Sequence, residues 1–362
     1  MNLSLVIFCI ILVIVTYFAI TKFIGVAEKF GFIDIPNHRS SHKEHTPRGA
    51  GIVFGLIFLL GIFFYDIDYF DEMKFTLLSI LVIYICGFLD DKYTLSSYKK
   101  LLFIVVASII AFFGGIQLDY IGTFFGYDLN LGYLSIFGTI FVIVALTNSI
   151  NLSDGLDGLA GSLSIIILSC LFIIGYLHDD HILIVWPAIL ISILMAFLFL
   201  NWYPAKVFMG DSGSLLLGFV ISILSIHAID YINPFSILFL AAVPVLDTLI
   251  VFRRRIQRGE SPFTADKNHI HHILYNVKQD KAYTVKMLLL IQFTFAAMFL
   301  QIYKQDEILN LLTFILLFLV FFNLFDPRGR KRAKNSKLKR KYQKEKKRKK
   351  IQDNSKKQET DI

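Results

Sequence analysis

The sequence predicts an all-α polytopic integral membrane protein with about 11 transmembrane helices. Of its 362 residues, 56% are hydrophobic and only 18% are charged, whereas soluble proteins carry about 25% charged residues. The apolar residues, which include 36 Phe, are gathered into long runs. Together with a mean hydropathy of +0.63, this composition requires that a large part of the surface faces lipid.

Eleven apolar segments are the candidates for the membrane crossings. A helix needs about 20 apolar residues to cross the hydrocarbon core of a bilayer, and polar breaks separate the segments from one another. In chain order they cover residues 3–21, 50–65, 74–89, 101–117, 132–149, 161–177, 182–200, 214–230, 235–252, 284–302 and 308–325.

The basic residues predict the orientation. The first segment has no basic residue before it, and Lys22 and Lys29 follow it. We therefore expect a retained anchor with the N-terminus outside, and eleven crossings then place the C-terminus in the cytoplasm. On this topology 34 Lys and Arg lie inside and two, Lys74 and Lys304, lie outside. The positive-inside rule is satisfied, and it remains so when the tail is ignored.

The chain is predicted to have two parts, a polytopic membrane domain over residues 1–326 and a disordered cytoplasmic tail over 327–362. The tail holds 17 Lys and Arg against 4 Asp and Glu, which accounts for the net charge of +8. Each basic residue beside an anionic leaflet contributes about 1 kcal/mol of binding. We therefore expect the tail to contact anionic lipids, and we expect no nucleic-acid partner.

Every cluster of unusual polar residues falls on a predicted cytoplasmic connection. Transporters more often carry their charged residues near mid-membrane, at broken helices. The one-sided distribution favours an enzyme that joins a water-soluble substrate to a lipid, with a cation-coupled transporter as the alternative from a different class. The clusters occupy residues 34–39 with 46–51, then 87–91, 148–158, 210–214 and 253–272.

Two pairs of aspartates are candidates for the chemistry. Asp90 and Asp91 stand where an apolar segment meets water, and a solvated helix end would explain that pair taken alone. Asp154 and Asp157 would share one face of a helix if their segment is helical, and a turn is the simpler explanation for them. Asparagines at 148 and 151 continue the same three-residue spacing, which favours a site over a turn.

The segment around Asp211 has the composition of a phosphate and metal site. Gly210 and Gly213 flank the aspartate, and Ser212 and Ser214 add hydroxyl groups at the start of a span. Backbone amides at a helix N-terminus favour phosphate binding. A carboxylate at the same place suggests a bridging cation, and oxygen ligands suit Mg²⁺ or Mn²⁺. Zinc is disfavoured because no cysteine is near.

The last cluster combines histidines with arginines. Taken alone, His269, His271 and His272 fit a metal ligand or a solvated loop equally well. The basic residues at 253–255, 258 and 267 favour anion recognition instead, because Arg makes bidentate contacts with phosphate and histidine can donate to phosphate or sugar oxygens.

In this order, the motifs resemble those of the polyprenyl-phosphate N-acetylhexosamine-1-phosphate transferases, the membrane enzymes that begin lipid-linked glycan synthesis. The resemblance covers five motifs from about Asp34 to His272. Residues 261–263 and 266–272 resemble the branch that transfers GlcNAc-1-phosphate for teichoic acids, O-antigen lipopolysaccharide and related polymers. The runner-up is the phospho-MurNAc-pentapeptide transferase of peptidoglycan synthesis. Ala50 departs from the usual pattern, in which a third glycine stands at that position.

The resemblance implies a reaction, a cofactor and a location. A lipid phosphate, undecaprenyl phosphate, would attack the sugar-bearing phosphorus of a UDP-N-acetylhexosamine, with GlcNAc as the best guess, and UMP would leave. Mg²⁺, with Mn²⁺ as a substitute, would be held by Asn151 and Asp211. The catalytic domain would be residues 1–326, in the inner (cytoplasmic) membrane of a bacterial cell with the active site facing the cytoplasm. A homodimer is left open.

The resemblance also implies roles for the other matching residues. Asp90 and Asp91 would position or deprotonate the lipid phosphate. Asp154 and Asp157 would contact the nucleotide or organise the surroundings of the metal. The residues expected to bind the substrate are Arg39, Asn148, Arg254, Arg255, His269, His271 and His272.

Overall fold

A computed structural model of the protein describes residues 2–34, 45–257, 259 and 269–325. Within these ranges the α-helices are α1 (Leu3–Ala27), α2 (Ala50–Tyr65), α3 (Phe70–Tyr93), α4 (Ser97–Phe113), α5 (Ser135–Leu152), α6 (Leu159–His178), α7 (His181–Asn201), α8 (Asp211–His227), α9 (Ile237–Leu240), α10 (Ala242–Gln257), α11 (Ile270–Lys278), α12 (Lys281–Ile302) and α13 (Glu307–Phe325). Two antiparallel pairs of short strands accompany them, β1 (Ile33–Asp34) with β2 (Thr46–Pro47) and β3 (Tyr120–Phe124) with β4 (Tyr127–Asn130).

Ten of the eleven predicted segments each coincide with one helix, and the segment 235–252 is divided between α9 and α10. Eight described helices are long and apolar enough to cross a bilayer, and α9 with α10, joined at a bend of 91°, would make a ninth crossing. Helix α2 has 16 residues and α4 has 17, so each is about 25 Å long. The protein is therefore an all-α polytopic membrane protein, as predicted from the sequence.

Helix α8 lies at the centre of the bundle. Every residue from Ser212 to Ile226 is buried, and α2, α3 and α5 pack against it. The outer helices expose apolar side chains: Phe137 and Phe141, one turn apart on α5, are 68% and 72% exposed. Such a surface would be unfavourable in water, so these faces are the lipid-contacting ones.

Helix α4 begins four residues before the predicted segment. The Ser96 side chain caps the helix by accepting from the Lys99 amide at 3.4 Å, so the first turn carries Lys99 and Lys100. The apolar pattern missed this turn because a helix end can hold lysines at the membrane boundary while the rest of the helix stays in lipid.

The segment predicted as one crossing over residues 235–252 is broken at Ala241. Pro244 has no amide hydrogen, so the carbonyl of Leu240 receives no helical hydrogen bond from it. The Gln292 side chain, which is buried in α12, replaces that bond by donating to Leu240 O at 2.7 Å. Its carbonyl oxygen accepts from the Val243 amide at 3.0 Å. The break is thus stabilised by a neighbouring helix and turns α10 away from the axis of α9.

At the end of the bundle opposite to Asp211, the turn between α6 and α7 is tied to the end of α8. The Asp180 carboxylate accepts from the Leu183 amide, lies 3.0 Å from His227 Nε2 and accepts from the Tyr231 hydroxyl at 3.0 Å. Partial burial opposes ionisation, yet these partners lower the pKa of Asp180 to about 2. The Asp180 carboxylate therefore holds together the ends of α6, α7 and α8 that lie away from Asp211.

Residues up to Phe314 form one compact unit, and the remainder of α13 belongs to a second. The predicted boundary at residues 326 and 327 and the predicted basic tail lie outside the described residues.

Candidate active site

The beginning of α8 is the point at which the predicted acidic motifs meet. The side chain of Asp91, at the end of α3, is fully buried. It accepts from the amides of Asp211 and Ser212 at 2.9 and 3.0 Å and from the Ser212 hydroxyl at 2.5 Å. Arg48 Nη2 lies 2.9 Å from the same carboxylate. Asp91 therefore caps the N-terminus of α8 and neutralises Arg48, which is a positioning role.

Glycines allow this close approach. A Cβ at Gly87, one turn before Asp91 on α3, would lie 2.3 Å from Ser212 Cα. A Cβ at Gly51, in the first turn of α2, would lie 2.0 Å from the Gly213 nitrogen. The start of α2 is also joined to the segment before α8, because the Gly51 amide donates to Met209 O at 2.9 Å. Three helix ends therefore meet with their backbones in contact.

Asp90 and Asp211 share one cation. Lys100 Nζ lies 2.9 Å from Asp211 Oδ2 and 3.4 Å from Asp90 Oδ2. The other oxygen of Asp90 accepts from the Leu95 amide at 2.6 Å. Asp90, Asp91 and Asp211 are named here the carboxylate cluster; Arg48 and Lys100 are its cations.

Asn151 points its amide group at Asp211. Its Nδ2 donates to Asp211 Oδ1 at 2.9 Å and to Ser214 Oγ at 2.8 Å. This orientation leaves the Asn151 carbonyl oxygen as a second oxygen donor beside the carboxylate. The two residues predicted to hold the metal are therefore in direct contact at the start of α8.

The donor set fits a magnesium ion that also binds substrate phosphates. In the described part of the chain, no group of three or more His, Cys, Asp or Glu side chains is arranged to hold a metal. Mg²⁺ commonly takes one or two carboxylates and completes its shell with phosphate oxygens and water. Asp211 and Asn151 supply oxygen atoms of this kind, and the carboxylate cluster with Asp154 holds more negative charge than its two cations neutralise.

Asp154 faces the carboxylate cluster from the turn between α5 and α6. Desolvation by the surrounding protein, and then the negative charges of Asp211 and Asp91, raise its pKa to about 7. The repulsion by Asp211 and Asp91 is the part of this shift that a bound cation would cancel. Asp154 is thus placed to respond to a metal or a basic substrate group.

The side chains of Asp157 and Asn148 form their hydrogen bonds outside the carboxylate cluster. Asp157 is buried, and its Oδ2 accepts from the Ala205 amide at 3.3 Å. Asn201 holds the same turn by accepting from the Gly158 amide at 2.9 Å. Asn148 donates to Val144 O in its own helix at 2.8 Å. The segment 148–158 is therefore a helix end followed by a pinned turn, so Asp154 and Asp157 do not share a helical face as the sequence spacing suggested.

The histidines lie at the start of α11, against the same turn. A Cβ at Gly155 would lie 2.3 Å from Nε2 of His271. Burial lowers the pKa of His271 to about 3, so this ring is neutral at physiological pH. The ring centroids of His269 and His271 are 5.6 Å apart, and those of His271 and His272 are 4.3 Å apart. The first two rings are parallel within 12°, and the third is tilted by 46° to its neighbour. The three rings, named here the histidine stack, reach the turn that carries Asp154.

The arginines occupy the end of α10. Arg254 and Arg255 are 2% and 5% exposed, and Arg254 Nε donates to Ile250 O at 3.3 Å. Both side chains are thus buried inside the protein, and their role in binding substrate stays a prediction. The predicted site residue Arg39 lies outside the described residues, as do residues 261–268 of the histidine motif.

Three residues of the site were not predicted from the sequence, namely Arg48, Lys100 and Asp247. Arg48 belongs to the polar cluster at residues 46–51 and precedes two glycines, Gly49 and Gly51. That position could have indicated a site residue. Lys100 follows the acidic pair by nine residues, and only the short loop before α4 brings it back. Asp247 lies in an apolar helix and contacts His269 Nδ1 at 2.8 Å; a lone acid in such a helix was the signal for that residue.

Comparison with known proteins agrees with this arrangement. Residues 73–229 match the model of glycosyl transferase family 4, a range that runs from α3 to the end of α8. A protein of Bacillus subtilis (strain 168) named "Probable undecaprenyl-phosphate N-acetylglucosaminyl 1-phosphate transferase" is 34% identical over 278 residues, 75% of this chain and 77% of the relative.

Two enterobacterial relatives carry the name undecaprenyl-phosphate alpha-N-acetylglucosaminyl 1-phosphate transferase. The protein of Escherichia coli (strain K12) is 31% identical over 261 residues, 69% of this chain and 70% of the relative. That of Yersinia pestis is 32% identical over 261 residues, 69% and 71% of the two chains. Because these identities extend over more than two thirds of each chain, the protein belongs to the glycosyl transferase family 4, in its N-acetylglucosaminyl 1-phosphate transferase branch.

Proposed function

We propose that the protein transfers GlcNAc-1-phosphate from UDP-GlcNAc to undecaprenyl phosphate. An oxygen of the lipid phosphate forms a bond to the sugar-bearing phosphorus. The bond between that phosphorus and the bridging oxygen of the diphosphate breaks, and UMP leaves with the bridging oxygen. The products are undecaprenyl-diphosphate-GlcNAc and UMP. The names of the relatives support this choice of sugar and lipid.

The observation that carries the proposal is the meeting of three acids, two cations and Asn151 at the start of α8. Transfer between two anions requires that their repulsion be reduced and that they be aligned. Lys100, held between Asp90 and Asp211, is placed to attract a phosphate to the cluster. The pair of buried Asp91 and partly exposed Arg48 holds the helix ends together, so that the groups facing substrate need little reorganisation.

Asp211 and Asn151 would hold the Mg²⁺ ion, with Mn²⁺ as a substitute. When bound, such an ion supplies positive charge to the diphosphate and so stabilises the leaving group. Asp154 would help to balance that charge from the adjacent turn. The histidine stack would contact the sugar or diphosphate from the other side of the turn, with neutral His271 acting through hydrogen bonds.

We further propose the location and topology. Eleven crossings with the N-terminus outside put the site at the cytoplasmic boundary of a bacterial inner membrane, where both the nucleotide sugar and the lipid head group are accessible. The distribution of Lys and Arg supports this orientation. The basic tail would then contact anionic lipids of the inner leaflet, and assembly as a homodimer is compatible with this arrangement.

The test is an assay of UMP release. The full-length protein in detergent is incubated with Mg²⁺ and undecaprenyl phosphate and, in turn, UDP-GlcNAc, UDP-GalNAc and UDP-MurNAc-pentapeptide. We expect UMP to appear with UDP-GlcNAc, only when both the lipid and the divalent ion are present. Turnover confined to UDP-MurNAc-pentapeptide, or UMP release that ignores the lipid, would contradict the proposal.

A further inference from the structure

The histidine stack begins at a buried carboxylate that the proposed reaction does not use. Asp247, on α10, is 4% exposed. Its Oδ2 lies 2.8 Å from His269 Nδ1, and its Oδ1 accepts from the Ile270 amide at 2.7 Å. A carboxylate in such a place is costly unless both oxygens are hydrogen-bonded, and these two contacts meet that requirement.

The two contacts have different consequences. The bond from the Ile270 amide satisfies an N-terminal amide of α11, for which the cap residue His269 provides no side-chain bond. The contact with His269 sets the tautomer of its neutral ring. An ionised carboxylate can only accept, so Nδ1 of His269 carries the hydrogen. In the neutral ring, Nε2 is therefore left as an acceptor.

His269 in turn places His271. The two rings are stacked with an angle of 12° between their planes, and His271 ends against Gly155 in the turn that carries Asp154. A small cavity beside this contact is lined by Ser153, Val243, Asp247 and His271, among others. A continuous path of contacts thus joins α10 to the turn at the carboxylate cluster.

We propose that Asp247 is a positioning residue that fixes the tautomer and orientation of His269 and thereby seats His271 at the sugar-nucleotide side of the site. Its two contacts also tie the start of α11 to α10. The inference rests on the proposed function, because it assigns the histidines to the sugar-nucleotide substrate.

Asp247→Asn separates positioning from helix capping. An amide at this position keeps the shape and can still accept from the Ile270 amide. Its NH₂ group then faces His269 Nδ1, which must become an acceptor, so the hydrogen moves to Nε2. Asp247→Glu keeps a carboxylate with a longer reach. Asp280→Asn is the matched control, because Asp280 caps the next helix through the Tyr283 amide at 3.0 Å and contacts none of the histidines.

The full-length variants are compared by thermal unfolding, by ¹⁵N NMR of histidine-labelled protein and by kinetics with UDP-GlcNAc and undecaprenyl phosphate. For Asp247→Asn we expect a nearly unchanged Tm and one histidine that switches from the Nδ1–H to the Nε2–H form. We expect kcat to fall about 10- to 100-fold, the range seen when carboxylates that orient functional histidines are removed. The KM for undecaprenyl phosphate should stay constant. Asp247→Glu should recover part of the rate, and Asp280→Asn should match the wild type.

Two results would overturn the inference. One is a histidine spectrum that Asp247→Asn leaves unchanged. The other is a loss of activity that follows the loss of folded protein, with kcat per folded molecule equal to that of the wild type. If the wild type releases no UMP from UDP-GlcNAc, the proposed function fails; the NMR comparison then still decides whether Asp247 sets the state of His269.

Discussion

At the scale of single residues, the site divides its acids between structure and chemistry. Asp91 is fully buried and is satisfied by two amides, a hydroxyl and a guanidinium, so it has no capacity left for a substrate proton. Asp211 bonds to side chains, Lys100 and Asn151, that can move when a ligand binds. Of the two, Asp211 is therefore the acid that can exchange partners during a reaction.

Asp211→Asn is predicted to abolish turnover. The substitution removes a negative charge beside Lys100 and weakens the oxygen that would bind the divalent ion, and loss of one such electrostatic group costs about 100-fold or more in rate. UMP release is measured across a range of Mg²⁺ concentrations. Asp71→Asn, an exposed acid paired only with Lys74 at 3.6 Å, should keep the wild-type rate. Near-normal Mg²⁺-dependent activity of Asp211→Asn would remove this residue from the metal ligands.

At the scale of elements, the active site is a meeting of helix ends. Helices α2 and α8 begin side by side, and α3 ends against them. The first amides of α8 therefore donate to Asp91, while the Gly51 amide of α2 donates to the backbone just before α8. Contact at this distance requires that no side chain intervenes, which is why Gly51, Gly87 and Gly213 stand there. The chemistry of the site thus depends on packing of α3 against α8 as directly as on the acids themselves.

Gly87→Ala is predicted to destabilise the protein and to reduce its activity. The added Cβ would lie 2.3 Å from Ser212 Cα and 2.9 Å from Asp211 O, so α3 and α8 must separate. Overpacking of this kind costs about 1–3 kcal/mol, and the separation also stretches the bonds of Asp91 to α8. Tm and kcat are both expected to fall.

Gly25→Ala is the matched control for that experiment. A Cβ at Gly25, within α1, would meet no atom within 4 Å, and Ala is favoured over Gly in a helix by about 1 kcal/mol. This variant should therefore be as stable as the wild type or slightly more stable. A Gly87→Ala protein with unchanged Tm and kcat would contradict the prediction, because it would show that α3 and α8 can accommodate the added Cβ.

At the scale of the whole molecule, charge and hydropathy are distributed in a way that separates anchoring from catalysis. All described site residues lie between Arg48 and His272, and the excess of basic charge lies after residue 326. A basic segment near an anionic leaflet adds affinity for that surface, so we expect the charge of the tail to serve anchoring.

Deletion of residues 329–362 is therefore predicted to leave catalysis intact. The truncated protein, compared with the full chain at equal folded concentration in detergent, should show the same kcat and the same KM for UDP-GlcNAc. In vesicles, any change should depend on the content of anionic lipid. A well-folded truncation with reduced kcat in detergent would show that the tail contributes to the site.

The sequence by itself determined the fold class and the family, and it predicted a set of acids and amides for the site, of which Asp157 and Asn148 bond outside the carboxylate cluster. Long apolar runs need lipid, so composition was sufficient for the fold class. The polar residues at the ends of these runs are few enough to be recognised, and their order carried the resemblance to the family. Only the tertiary structure decided which partners each of these side chains contacts. It showed that Asp91 caps α8, that Lys100 joins Asp90 to Asp211 and that Asp247 holds His269. These contacts join residues from 10 to 121 positions apart, and contacts at such separations depend on how helices pack, which local sequence does not specify.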